Sequence, residues 1–260
     1  MCSWPLVLDP GDPPVSRIEA ESVIPVSHRI LALFAHPDDE TFLAGGTLAK
    51  YAANGWEVSV LCATRGEAGR RGDYEDQNLS AGEFAMVRQL EMEAACDVLG
   101  VRKPVFLNCA DQGIANDCQD SARVEIVRFL RDLKPDVVIT FGPDGVSGHT
   151  DHVAIGEIAT AAVREAGIRS LYYVLRSESL STCCKPEVPV SPPPVTTVID
   201  VSGFGERKLQ AMRCYRSQKH LLAEDPAVIR GTINEPEHFH RALPAGFTGG
   251  REDQLLVPFS

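Results

Sequence analysis

The stretch "ILALFAHPDDETFLAGGTLAKYAANGWEVSVLCA", residues 30–63, contains the unit from which the fold is read. "ILALFA" (30–35) is apolar without polar alternation, the pattern of a strand covered on both faces. A helix is predicted over about 41–54 and ends at Gly55, and "WEVSVLCA" (56–63) reads as a second buried strand. Strand, helix and strand on short connections make one turn of a parallel sheet. Between the first strand and the helix stand His36, Pro37, Asp38, Asp39 and Glu40. Adjacent carboxylates repel, so this loop either caps the helix or holds something that offsets its charge.

The alternation continues along the chain. "SAGEFAMVRQLEMEAACDVLG" (80–100) reads as a long helix with Ser80 as N-cap, Glu83 completing a capping box and Gly100 at its end. Strand 104–108, helix 121–133, strand 136–141, helix 151–166 and strand 170–176 follow, with a candidate strand at 195–201 and a candidate helix at 203–217. The pattern predicts a Rossmann-like three-layer α/β/α sandwich with a mostly parallel sheet over residues 29–222. Residues 1–28, with five prolines, read as an extended N-terminal arm. Residues 181–194 read as irregular, and 223–260 as a turn-rich C-terminal tail packing on the same domain.

With 260 residues, 44% of them hydrophobic, the chain can bury a large core. A net charge of −11 and a pI near 5.1 argue against nucleic acid or an anionic membrane as partner, since both need a basic patch. The chain start does not read as a secretory signal, and no apolar run approaches the roughly 18–20 residues of a membrane span. The eight cysteines show no C-x-x-C pair, which predicts a cytoplasmic, reducing setting without a disulfide framework. A Cys109–Cys118 bridge across one loop is left open. Oligomeric state is not legible in the pattern.

In sheets of this class ligands sit at the carboxyl ends of the strands, which directs attention to loops 36–41, 64–79, 109–120 and 142–151. His36 and Asp39 leave the first strand, and "GPDGVSGHTDH" (142–152) leaves the fourth with His149, Asp151 and His152. If those strands are neighbours, His36, Asp39 and His152 give two imidazoles and a carboxylate. That set suits Zn²⁺, with Fe²⁺ as the alternative, and leaves a position for water. Asp38 is placed to act as base on that water, and His149 to polarise a carbonyl or protonate a leaving amine. Asp151 is placed to orient an imidazole. Taken singly, "PDDE" reads equally well as helix-cap chemistry, and "DH" at the start of helix 151–166 reads better so. Their joint occurrence at two strand ends favours metal-assisted hydrolysis of an amide.

"AHPDDE" (35–40) and "HTDH" (149–152) resemble the A-H-P-D-D-E and H-P-D-H blocks of the LmbE/PIG-L zinc deacetylases. Smaller echoes are "ATRGEAG" (63–69), "FLNCADQGI" (106–114) and "YRSQ" (215–218). The resemblance implies a Rossmann-like fold and zinc-dependent removal of an N-acetyl group from an N-acetylglucosamine-type amino-sugar conjugate, a small molecule. It implies His36, Asp39 and His152 as metal ligands, Asp38 as general base and His149 as acid or oxyanion stabiliser supported by Asp151. It also implies that Arg88 and Asp111 bind the sugar. Two departures stand out: Thr150 where the family usually has Pro, and Ser147 where some members have Tyr.

Glu91, three residues after Arg88, is predicted to hold its guanidinium. Arg65 and Glu67 lie near the mouth of the site, and His220, His238 and His240 read as surface or packing residues. A phosphorylation-dependent receiver also sets acidic residues after its first strand, but needs a Lys after the fifth, where Arg176 stands. A sugar-binding protein without catalysis would need neither Asp38 nor His149. An amidase acting on a non-sugar N-acyl substrate is a further alternative.

Overall fold

A computed structural model of the chain describes residues 28–176, 191–244 and 252–255. The expected N-terminal arm up to residue 27, Cys183, Cys184 and the start of the Pro-rich 186–194 stretch lie outside them. In chain order the elements are β1 (Arg29–Phe34), α1 (Asp39–Ala53), β2 (Glu57–Cys62), α2 (Ala81–Leu99) and β3 (Val105–Phe106). They continue with α3 (Ile114–Asp117), α4 (Gln119–Leu133), β4 (Val137–Phe141), α5 (Gly145–Gly148), α6 (Thr150–Ala166) and β5 (Leu171–Leu175). The chain then forms β6 (Thr197–Ile199), α7 (Gly205–Cys214), α8 (Pro226–Asn234) and β7 (Glu237–Leu243).

The sheet has seven strands in the order β3-β2-β1-β4-β5-β7-β6. β1 pairs in parallel with β2 on one side and with β4 on the other, and β3 and β5 extend the parallel set outward. The expected mostly parallel α/β fold is therefore present. The adjacency of β1 and β4 is the topological switch point, where connections leave to opposite sides and a crevice opens at the carboxyl ends. Helices α1, α2 and α7 pack with one another, as do α4 and α6. Ile30 to Phe34 are fully buried, and the Phe34 ring meets Phe141 of β4 edge-on at 5.2 Å.

Local signals account for the boundaries near the site. Ser80 Oγ accepts from the Glu83 amide at 3.3 Å while Glu83 Oε2 accepts from the Ser80 amide at 2.8 Å, so α2 starts on a complete capping box. It ends at Gly100 in the left-handed region at φ 77°.

Two features depart from the sequence expectation. The tail predicted as turns supplies α8 and then β7, a strand antiparallel to β5 and β6 inside the sheet. "EHFHRAL" looks too polar for such a place, but Glu237 is buried because three donors meet it. These are the Gly46 and Thr47 amides at 2.9 and 2.8 Å and Lys208 Nζ at 2.6 Å. The second departure is a Cys109–Cys118 disulfide, with Cα atoms 5.7 Å apart. Left-handed backbone at Gln112, φ 67°, helps to fold the intervening loop back on itself. Cys62 and Cys96 remain free and buried, and Cys214 free and half-buried. Among the described residues no helix is long and apolar enough to cross a membrane.

Candidate metal centre

The chain leaves β1 through His36 and Pro37 and enters α1 with Asp38 at its N-cap position. The Asp38 carbonyl accepts from the amides of Thr41 and Phe42 at 3.0 and 2.9 Å, as a cap residue's should. Its side chain makes no cap bond, and the backbone sits at φ 122°, ψ −34°. A residue with a Cβ avoids that region, and holding it there costs on the order of 1–3 kcal/mol. The conformation turns the carboxylate away from the helix toward Arg88, whose Nη2 donates to Asp38 Oδ2 at 2.8 Å. Capping therefore does not explain Asp38. The loop amides find other carboxylates: His36 N donates to Asp39 Oδ2 at 2.8 Å and Asp38 N to Glu40 Oε2 at 3.2 Å.

His36 and His152 face each other with Nδ1 of the first 3.2 Å from Nε2 of the second. The remaining nitrogen of each ring fixes its tautomer. His152 Nδ1 lies 3.1 Å from the Gly145 carbonyl, an acceptor only, so Nδ1 carries the hydrogen and Nε2 a lone pair. His36 Nε2 lies 3.1 Å from Asp111 Oδ1 and 3.3 Å from Asp151 Oδ2, so it is the donor, and in the neutral ring Nδ1 has the lone pair. Asp39 closes the triangle, Oδ1 at 3.3 Å from His152 Nε2 and Oδ2 at 3.7 Å from His36 Nδ1. Donors about 2.0–2.2 Å from a tetrahedral ion stand about 3.3–3.6 Å from one another, which these separations approach. The donor set fits a borderline dication. The Phe141 ring stacks on His152 at 4.1 Å and 15°, holding its plane.

Two wider groupings, His36 with His149 and His152, and His36 with Asp111 and Asp151, also have potential ligand atoms within 4.8 Å of one another. In the second, the carboxylates already accept from other groups. Gln112 N and Ile114 N donate to Asp151 at 2.7 and 3.3 Å, and Ala68 N donates to Asp111 Oδ2 at 2.9 Å. Glu67, expected near the mouth, accepts from the Asp111 amide at 2.9 Å and so steadies the same loop. The Asp151 carboxylate reaches His36 rather than His149. It is the Asp151 amide that meets His149, donating to Nδ1 at 3.2 Å. Neutral His149 therefore carries its hydrogen on Nε2.

Charge in the site follows this geometry. Burial works against a charge on His36, but the Asp111 and Asp151 carboxylates outweigh it and raise its pKa to about 10. Burial dominates at His152 and lowers it to about 4. Burial also opposes charge on Asp111 and Asp151, yet hydrogen bonds from His36 hold both carboxyls below their usual range. Asp38 is pushed up to about 8 by burial, against the pull of Arg88. Carboxylates thus favour positive charge at the point where the ring lone pairs meet.

A cavity of about 300 Å³ opens over this cluster. It is lined by His36, Asp38, Asp39, Asp111, His149 and His152, and by Arg88, which grips Asp38. Apolar walls come from Phe42, Leu43, Val146 and Leu221. Arg88 also donates to the carbonyls of Gly66, at 2.9 Å, and Pro37. Glu91, expected to hold Arg88, instead accepts from Ser217 N at 2.9 Å and Ser217 Oγ at 2.5 Å. Arg65 turns to Gln89 and Asn108 at 2.8 and 2.5 Å and covers the Phe106 ring. Of the tail histidines, His220 is exposed, and His240 stacks on Tyr173.

Sequence reasoning did not single out Tyr215 or Gln218 for the site. Tyr215 donates to Glu40 Oε1 at 2.5 Å, and Gln218 lines the cavity while donating to the Arg70 carbonyl at 2.9 Å. The signal available was the "YRSQ" echo.

Residues 31–163 match the PIG-L family model, described as GlcNAc-PI de-N-acetylase. A deacetylase of Rhodococcus jostii (strain RHA1), named for 1D-myo-inositol 2-acetamido-2-deoxy-alpha-D-glucopyranoside, is 33% identical over 86% of this chain and 94% of its own. The chain belongs to the PIG-L family. Among solved structures, the N,N'-diacetylchitobiose deacetylase of Pyrococcus horikoshii matches with a TM-score of 0.64 at 24% identity, over 86% of this chain and 88% of that one. The 4-carboxy-2-hydroxymuconate hydratase of Pseudomonas putida KT2440 matches with a TM-score of 0.64 at 18% identity, over 85% and 99%. The PIG-L scaffold of this chain is thus shared with a hydratase, and chemistry must be argued from the side chains.

Proposed function

We propose that this PIG-L family protein is a zinc-dependent hydrolase that removes the N-acetyl group from an N-acetylglucosamine-type conjugate, releasing acetate and a free amine. The observation that carries the reading is the convergence of His36 Nδ1, His152 Nε2 and Asp39, each ring having its other nitrogen committed as a donor. These three residues would hold the ion, with Fe²⁺ the alternative to Zn²⁺. Bound there, the dication supplies Lewis acidity and lowers the pKa of a water from about 15.7 toward about 7.

The chain's own residues carry the proton chemistry. Asp38 takes the water's proton as base, its carboxylate held by Arg88 at 2.8 Å. His149 points its Nε2 hydrogen at the amide oxygen or the departing nitrogen, because the Asp151 amide occupies Nδ1 at 3.2 Å. Asp111 and Asp151 orient His36, and Arg88 and Asp111 line the side where sugar hydroxyls bind. The relatives' names support an amino-sugar glycoside as substrate, an inositol conjugate first among them. The test is a panel of N-acetylated sugars incubated with zinc-loaded protein and assayed for free amine. Release from N-acetylglucosamine conjugates is expected. Bound zinc with no amine from any member would favour a binding protein instead.

A further inference from the structure

We propose that Glu40 and Tyr215 form a positioning pair that holds Asp38 in its working backbone conformation, an inference that rests on the assignment of Asp38 as base. The Asp38 backbone at φ 122° and ψ −34° is not one its own side chain favours, so its surroundings must hold it. Three grips do so. The Asp38 carbonyl accepts from Thr41 and Phe42 of α1. Its carboxylate accepts from Arg88 at 2.8 Å. Its amide donates to Glu40 Oε2 at 3.2 Å, and Glu40 is the grip with the least evident reason to exist.

Glu40 is fully buried. Its hydrogen-bond partners are uncharged donors: the Asp38 amide, the Thr41 hydroxyl and the Tyr215 phenol, the last at 2.5 Å. Among the described residues no Lys or Arg pairs with it. A buried carboxylate without a cation is an expensive way to begin a helix, since a neutral Ser or Thr can cap one. It is suited to a different task. One of its oxygens takes the Asp38 amide while the other takes the Tyr215 phenol, so the phenol fixes where the carboxyl group points.

Tyr215 is itself immobilised, 1% exposed and beside Phe42 of α1 at 6.4 Å. Two residues on, Ser217 is tied to Glu91 through its amide and its hydroxyl. Glu91 lies one helical turn from Arg88 on α2. The "YRSQ" segment therefore anchors to the same helix that grips the Asp38 carboxylate. Two arms converge on one residue: Arg88 sets the carboxylate, and Tyr215 through Glu40 sets the backbone.

Tyr215→Phe keeps the ring and removes only the donor. The expected result is a kcat lower by about 10–100-fold, the usual effect of a group behind the reacting ones, with KM and zinc per chain unchanged. Glu40→Gln, which keeps an oxygen for the Asp38 amide, should retain more turnover than Glu40→Ala. A Tyr215→Phe kcat within about two-fold of the parent would overturn the proposal, as would a fall that merely tracks lost zinc. Asp38→Asn measured in parallel separates the two levels. Turnover retained in Asp38→Asn removes the base assignment and the pair with it. Turnover abolished there but unchanged in Tyr215→Phe removes the pair alone.

Discussion

His36 Nδ1 and His152 Nε2 stand 3.2 Å apart, and each ring has its other nitrogen occupied as a donor. At that spacing the two nitrogens share one positive centre: a proton on His36 Nδ1, which the carboxylates behind that ring favour, or a metal ion that displaces it. The rest of the site is arranged around this fact: Asp39 at the third corner, Phe141 behind His152, and Asp111 and Asp151 behind His36.

His152→Ala removes one donor. Zinc per chain should drop, and turnover should fall by more than about 100-fold, beyond the range typical of residues behind the ligands. Because imidazoles bind metal only when neutral, zinc affinity of the parent should weaken as pH is lowered from about 7.5 to about 5.5. Competition against a chelating dye at both pH values reads this directly, and equal affinities would argue against imidazole ligation.

Asp38→Asn keeps the shape of the side chain and removes its basicity. The kcat should fall on the order of 10²–10⁴-fold with KM and zinc little changed, as for loss of a general base. Arg88, 3% exposed, then loses its charged partner at 2.8 Å, so a lower unfolding midpoint should accompany the loss. Steady-state kinetics and thermal unfolding on one preparation check both.

The Cys109–Cys118 bridge closes the loop whose Gln112 and Ile114 amides hold Asp151. Cys118→Ser should cost about 2–3 kcal/mol of stability, the chain-entropy value for a loop of this size. Turnover should also fall, because the amides that aim Asp151 at His36 are freed. Denaturant unfolding with and without a dithiol reports the first effect, and kinetics under the same conditions the second.

Lys208 Nζ and Glu237 Oε1 lie 2.6 Å apart with each side chain 5% exposed. Lys208→Met would leave the Glu237 carboxylate buried without its cation, at about 3–5 kcal/mol. Urea unfolding should show a loss of that size. A change below about 1 kcal/mol would mean that Glu237 is satisfied by the Gly46 and Thr47 amides alone.

Where a signal is local, the sequence was sufficient. The uninterrupted apolar run of β1 marks a strand buried on both faces, and Ser80 with Glu83 marks the start of α2. Right-handed strand–helix–strand units allow β1 and β4 to be neighbours, and it is the observed sheet order that brings "AHPDDE" to "HTDH". What was not legible depends on distant partners. β7 hides behind its polar residues because Glu237 finds Lys208 and the α1 amides only after folding. The Arg88–Glu91 spacing fits a local pair, yet Arg88 bonds Asp38 fifty positions away and Glu91 bonds Ser217. Tyr215 could not be tied to Glu40 across a separation of 175 positions.

The most direct measurement is amine release from an N-acetylglucosamine–inositol conjugate by the metal-stripped protein as zinc is added back. Release should be negligible without metal and should rise in proportion to zinc bound, levelling off at one ion per chain. Release that is equal in the stripped and zinc-loaded protein, or absent from both, would contradict a zinc-dependent deacetylase.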